Sequence, residues 1–236
     1  MYQWEVEDLR RLYEMLSNAP ALVEGTPDSL SWAADSSGLF SVASAYKGCE
    51  LSLATNSKIA DLIWKNVSPP RVQFFGWLAW KGRIKTSYYL QRIGVLSDGF
   101  DPRCIFCKGE VENINHVLLF CPFTWRIWSR ILQWWGIQWV LPGSISCLFN
   151  WCIGIKLQKQ EQMIWRAIPL AVLWSVWNRR NECIFGNAQV DIDDLCESIK
   201  VRIALWVKSS CPSINYSVFD LVHHLQQVRI CIRRGF

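Results

Sequence analysis

The sequence predicts a mainly α protein: a helical domain with a short N-terminal β-hairpin and a small Cys3His zinc module. Three observations lead there. Apolar residues recur at helical spacing over most of the chain. The turn-forming Asp35-Ser36-Ser37-Gly38 separates two short extended-type runs. Four soft or borderline metal ligands, Cys104, Cys107, His116 and Cys121, fall within eighteen residues. With 51% hydrophobic and 19% charged residues, the 236-residue chain can build a core and is not globally disordered.

The elements follow in order. Residues 1–16 are acidic and amphipathic, with no basic region leading into an apolar one, so they do not read as a signal peptide. Residues 30–32 and 39–42 form the hairpin. A helix follows over 45–53 and another over 58–67. Ser68-Pro69-Pro70 is a helix start, a capping Ser followed by Pro in the first turn. That helix presents Val72, Phe75 and Ala79 on one face, widened by Phe74, Trp77 and Leu78. Thr86 caps the next helix and Gly94 closes it. Pro122 opens a helix through Trp125, Trp128, Ile131, Leu132 and Trp135 that ends at Gly136. A loop at 141–146 precedes a long helix over 156–185 with Pro169 inside it. The acidic 191–194 suits a helix N-terminus leading into 195–207, and a last amphipathic helix covers 218–232. The domains divide as an N-terminal flank (1–27), a zinc-bearing domain (28–136) and a Trp-rich helical region (137–236).

Charge is unevenly spread. The net charge is +5, but residues 1–38 hold two basic and seven acidic side chains while 39–103 hold nine basic and four acidic. Between 62 and 97 there is no acidic residue; Lys65, Arg71, Lys81, Arg83, Lys85 and Arg92 are interleaved with aromatics there. The strongest apolar run, 167–177, is too short for a bilayer and contains Pro169, so no membrane association is expected. Without a secretion signal the ten cysteines should be mostly reduced, and clustered ones read as metal ligands.

The spacing C-x2-C-x8-H-x4-C supplies what a tetrahedral Zn²⁺ requires. The first pair makes a tight turn that aims two thiolates at one ion, and Gly109 gives freedom between the halves. With all four positions filled by protein, the single zinc is structural, with no place for a catalytic water. Cys147 and Cys152, in an apolar stretch without a histidine, read as core residues. His223 and His224 are adjacent, point to different helix faces and read as surface residues.

At this point a family resemblance enters. Asp28-Ser29-Leu30-Ser31-Trp32 and Gly38-Leu39-Phe40-Ser41-Val42-Ala43-Ser44-Ala45-Tyr46 resemble the start of the reverse-transcriptase zinc-binding domain of plant LINE-type (non-LTR) retrotransposons. The likeness continues through Ile63-Trp64-Lys65, Pro69-Pro70-Arg71-Val72, Phe75-Gly76-Trp77-Leu78, Thr86 and Leu90. It then runs through Cys104, Cys107, Glu112, His116, Cys121 and Trp128. Downstream, Leu173-Trp174-Ser175-Val176-Trp177-Asn178-Arg179-Arg180-Asn181 with Phe185 is similar to the segment after the zinc domain. The resemblance implies a C-terminal piece of a retroelement polyprotein without its polymerase or ribonuclease H domain. It also implies a role in gripping nucleic acid during reverse transcription, an intracellular protein, and the nucleus as its place of work.

Two functional readings follow, with a third set aside. In the first, the chain is a non-catalytic, zinc-stabilised module that binds RNA or single-stranded DNA. Lys81, Arg83, Lys85 and Arg92 would neutralise phosphates, and exposed aromatics would stack on bases; a merely solvated basic face is the plain alternative. Helical spacing puts Phe75, Trp77 and Trp64 in the core. In the second, it is a structural or protein-interaction module, or a relic that packed against a missing polymerase, whose Trp-rich helix exposes Trp174 and Trp177 to a partner. A Trp-rich core is the alternative there, and Arg179-Arg180 serve either reading or end the apolar face. An enzyme, or a small-molecule substrate, is not expected. No nucleotide-binding, nucleophile-elbow or metalloprotease motif occurs, and Asp191, Asp193 and Asp194 sit at a helix start without accompanying strands.

Overall fold

Contacts divide the chain into two units, Met1–Ser52 and Leu53–Phe236. The computed structural model describes residues 3–17, 31–33, 35–44, 58–97, 99–138, 140, 142–186, 189–211 and 214–234.

In the first unit, α1 (Gln3–Ser17) carries Arg10 forked between Glu7 and Glu14, at 2.7 and 3.1 Å. Its other stripe, Val6, Leu9, Leu12, Tyr13 and Leu16, is exposed. The turn expected at 35–38 forms. The Trp32 N–H donates to the Gly38 carbonyl (2.8 Å), and Asp35 Oδ1 accepts from both the N–H and the hydroxyl of Ser37. No strand pairing extends from it among the described residues. Instead Ser41 Oγ accepts from the Ser44 N–H at 3.0 Å, the side-chain bond that starts a helical turn over 42–44. Leu30 and the helix expected over 45–53 lie outside the described residues.

The second unit is helical. α2 covers 58–64, α3 is Pro70–Trp80, α4 is Ser87–Arg92, and a π-helical turn spans His116–Phe120. Then come α5 (Pro122–Trp135), α6 (Ile145–Gly154), α7 (Lys159–Gly186), α8 (Ile192–Ser210), α9 (Val218–His223) and α10 (Leu225–Arg234). The 28-residue α7 is the axis, touching α3, α5, α6, α8, α10 and the π-turn. A helix surrounded this way needs apolar residues all round, and α7 buries Ile164, Trp165, Ile168, Leu170, Val172, Leu173 and Val176. It continues through Pro169. The missing N–H there leaves the Trp165 carbonyl without its helical donor, and at the neighbouring residue Asn66 Nδ2 donates to the Arg166 carbonyl (2.7 Å). α3 approaches α7 so closely that a Cβ on Gly76 would lie 2.4 Å from Leu170 Cδ2.

Caps behave as the sequence predicts in most places. Thr86 accepts from Tyr89 N–H, Asp191 from the N–H groups of Asp193 and Asp194, and Gly136 closes α5 at φ 83°. Ser68 departs from expectation. The cap of α3 is Pro69 (ψ 151°), and the buried Ser68 hydroxyl has no partner among the described residues. A residue before proline is pushed out of the α region, so Pro70 forbids a helical Pro69 and the helix starts one residue later. Ser144, whose side chain accepts from Cys147 N–H, opens α6 inside what the sequence reads as loop and apolar stretch. Cys152 is buried as expected, whereas Cys147 is exposed. The helix expected over 218–232 breaks at His224 (φ −123°). Trp134 Nε1 donates to the Val222 carbonyl (2.8 Å), the acceptor that a continuous helix would give to the Gln226 N–H. His223 and His224 are exposed, as read.

Candidate metal centre

The module begins where Arg103 and Val111 form an antiparallel bridge. Inside it the Cys104 N–H donates to the Glu110 carbonyl (2.7 Å) and the Lys108 N–H to the Cys104 carbonyl (2.8 Å). Lys108 takes a left-handed φ of 54°, and Gly109 N–H points at Cys107 Sγ from 3.5 Å. This tight loop aims both thiol sulfurs inward. The second pair comes from the π-turn: His116 is its first residue and Cys121 follows it as the cap residue of α5. Asn113 Oδ1 accepts from the His116 N–H (2.8 Å) and fixes the entry. Thr124 Oγ1 and Trp128 Nε1 donate to the carbonyls of Val117 and Leu118, at 2.7 and 2.9 Å, which ties the turn to α5.

The four ligand atoms lie within 4.8 Å of one another. Cys104 Sγ is 3.7 Å from Cys121 Sγ, and Cys107 Sγ is 3.3 Å from His116 Nε2. Tetrahedral zinc with ordinary bond lengths sets sulfur–sulfur edges of about 3.8 Å and sulfur–nitrogen edges of about 3.6 Å. The donor set fits that ion in size and in chemistry. His116 Nδ1 lies 3.0 Å from Glu110 Oε2, a carboxylate–histidine contact that orients the ring and turns Nε2 towards the sulfurs. Cys104, Cys121 and His116 are buried. The hydrogen bond between Cys104 and Cys121 pulls the Cys104 thiol down to about 5 against the effect of burial, while the same bond and burial push Cys121 up. Both sulfurs act as thiolates once a dication is between them.

A second polar cluster joins the module to the helical body. Glu112 and Arg180 are both fully buried and paired: Nε to Oε2 at 2.9 Å and Nη2 to Oε1 at 2.5 Å. Ser87, at the start of α4, donates to Glu112 Oε1 from its N–H (2.7 Å) and accepts from Arg180 Nη2 at its hydroxyl (2.7 Å). Three segments distant in sequence therefore meet at one carboxylate. Of these residues the sequence singles out Glu112 by resemblance and Arg180 only as one of a basic pair; Ser87 and Glu110 carry no signal of their own.

Lys81, Arg83, Lys85 and Arg92 are all exposed, and none forms an ion pair among the described residues. They follow the end of α3, the extended linker and the last turn of α4. Lys81 Nζ sits 3.7 Å from the Trp80 ring centroid and Arg92 Cζ 5.4 Å from that of Tyr89. Phe75 is core as expected and Trp77 half-buried, but Trp64 is 46% exposed because Ile59, Leu62 and Ile63 take the buried face of α2. Trp174 and Trp177 are half-buried, with ring centroids 5.3 and 6.0 Å from Phe75; they pack between α7 and α3.

Comparison with known proteins agrees with the geometry. Residues 40–128 match the family described as zinc-binding in reverse transcriptase. An Arabidopsis thaliana protein provisionally named a ribonuclease H protein is 32% identical over 171 residues, which cover 70% of this chain and 26% of that protein. The chain thus spans about a quarter of the length of the relative it matches. No solved structure matches it. Among the described residues no helix is long and apolar enough to cross a membrane. Cys104, Cys107, His116 and Cys121 converge inside the matched segment 40–128, so the part of the chain that is similar to the family described as zinc-binding in reverse transcriptase is the part whose side chains fit one structural zinc site.

Proposed function

We propose that the chain is a non-catalytic, zinc-stabilised module that binds RNA or single-stranded DNA inside the cell, in the nucleus. Its phosphate contacts are Lys81, Arg83, Lys85 and Arg92. The observation that carries this reading is that four exposed cations, free of carboxylate partners among the described residues, follow one another in a stretch without an acidic residue. Unpaired surface cations of one sign raise the local potential and attract a polyanion. The family's tie to reverse transcriptase and the relative's name both belong to nucleic-acid chemistry. A metal saturated by four protein ligands has no open position for an activated water, which supports a binding role over catalysis. The functional domain in this reading is 28–136.

The test is a salt titration. The zinc-loaded chain should bind a labelled single-stranded RNA with an affinity that falls steeply with salt. Replacing all four cations with alanine should weaken binding at low salt and lower the log–log slope by about 3, from roughly 0.7 per phosphate contact. Equal affinity and slope in the two proteins would remove these residues from the interface.

A further inference from the structure

Beside the basic linker lies a cleft of about 530 Å³, within the size range of small-ligand pockets. One wall is aromatic and apolar: Trp80, Ile84, Tyr88 and Tyr89. Asn113 and Asn115 from the zinc module line the same cleft. Each asparagine uses only its oxygen. Asn113 Oδ1 accepts from His116 N–H and Asn115 Oδ1 from Ile145 N–H (3.4 Å), so both NH2 groups lack a partner among the described residues. Aromatic rings and unpaired amide donors that line one cleft suit a nucleobase, whose face stacks and whose edge offers carbonyl and ring-nitrogen acceptors.

The charges fit the same ligand. Gly82, Ile84 and Thr86 face the cleft while Arg83 and Lys85 are exposed, the alternation of an extended segment. A strand whose base enters the cleft would run its phosphates along that outer row. Lys81 over the Trp80 ring adds a cation at the aromatic wall. Glu112 also lines the cleft, but Arg180 and Ser87 hold both of its oxygens, so it does not face a phosphate as a bare carboxylate.

We infer that this cleft is a base pocket that takes an unpaired nucleobase of a single strand held at Arg83 and Lys85. The inference rests on the nucleic-acid reading above and ties the metal to recognition, because zinc, through His116 and Asn113, fixes the wall that reads the base edge. A paired base inside a duplex cannot enter, so the pocket favours single strands over duplexes.

The test compares a fluorescein-labelled ten-nucleotide oligouridine with an RNA duplex of equal length, both against the zinc-loaded full chain. Tyr88 is 56% exposed, so Tyr88→Ala should keep the fold, checked by zinc content and thermal melting. It should weaken single-strand binding roughly tenfold while leaving duplex binding and the salt slope unchanged, and Tyr88→Phe should restore affinity. Arg83→Ala with Lys85→Ala should weaken both ligands and flatten the slope. Photo-crosslinking of 4-thiouridine RNA to the unaltered protein should map adducts to 80–89 or 113–115. If Tyr88→Ala binds single strands as wild type does, or adducts map elsewhere, the pocket is overturned while the charge variant still supports nucleic-acid binding. If the wild type binds neither RNA, both readings fall.

Discussion

The zinc module and the helical body around α7 reach a buried state by opposite means. Around α7 the interior is apolar and large, with Trp128, Trp135, Trp165 and Phe149 fully buried among aliphatic side chains. Many weak contacts add up there, and removing one leaves the rest. The module from 101 to 121 has a polar tip instead: Lys108, Gly109 and Glu110 are exposed between its ligand pairs. Four ligand atoms hold that tip, while Val117, Leu118 and Leu119 behind it join the apolar core. One region therefore fails by increments and the other all at once, and besides the bonds of the π-turn to α5 the two share a buried ion pair, Glu112–Arg180.

Removing the metal should have the largest effect. Chelation, or the Cys104→Ser/Cys107→Ser variant, deletes a binding free energy on the order of 10 kcal/mol. The module should lose its structure while α7 and its neighbours remain. Metal analysis should find one zinc per wild-type chain and none in the variant. Far-UV circular dichroism should keep most of its helical signal, and the near-UV signal of Trp128, bonded to Leu118, should change. Complete loss of helix would break the comparison, because the body would then depend on the module.

The joint comes next. Arg180→Met leaves the Glu112 carboxylate buried and without its counter-charge, a change that costs about 3–5 kcal/mol in such pairs. Urea unfolding should report that loss, together with a weaker hold on zinc. Adding Glu112→Leu should recover much of it, since the orphaned charge is then gone. A double variant no more stable than Arg180→Met alone would mean that Ser87 and Asn181, which also bond this network, carry the joint.

How legible each part was in the sequence follows from the same contrast. The ligands could be read because metal chemistry ties residue type to short spacing, and Cys104 to Cys121 is a local pattern. The helices could be read from periodicity and caps at Thr86, Gly136 and Asp191. The joint could not, because Ser87, Glu112 and Arg180 are far apart in the chain and an arginine at the end of an apolar face reads as surface. Two other expectations were overridden, one by a tertiary bond and one by a neighbouring proline. The Trp134 indole breaks α9 from α10 where periodicity runs on, and stacked prolines shift the cap of α3 away from Ser68.

Glu161 offers a smaller, pH-driven version of the joint. It is buried, and burial alone would raise its pKa, but hydrogen bonds from Arg233 and Arg229 outweigh that and hold it below the usual 4.5. A depressed carboxyl adds stability above its unfolded pKa and loses it as pH falls through the folded one. Melting temperature should therefore drop below about pH 4.5, more steeply in wild type than in Glu161→Gln. Zinc release in acid affects both proteins alike and cancels in the difference. The effect should be modest, since Arg233 is half exposed and water screens part of its charge.

The smallest effect sharpens the comparison from the side of the body. Asp191 Oδ1 accepts from the N–H groups of Asp193 and Asp194, at 2.7 and 3.3 Å, two of the donors that the start of α8 would otherwise leave bare. Asp191→Ala should cost about 1 kcal/mol, and Asp191→Asn much less, because a side-chain acceptor is kept. That loss is local to one helix end. It should leave zinc affinity untouched and add to the effect of Cys104→Ser/Cys107→Ser, as independent sites do. A cap variant that also weakened the metal would mean α8 passes strain through α5 to the π-turn, both of which α5 touches. The body would then fail partly as a unit, and the two means of burial would be one.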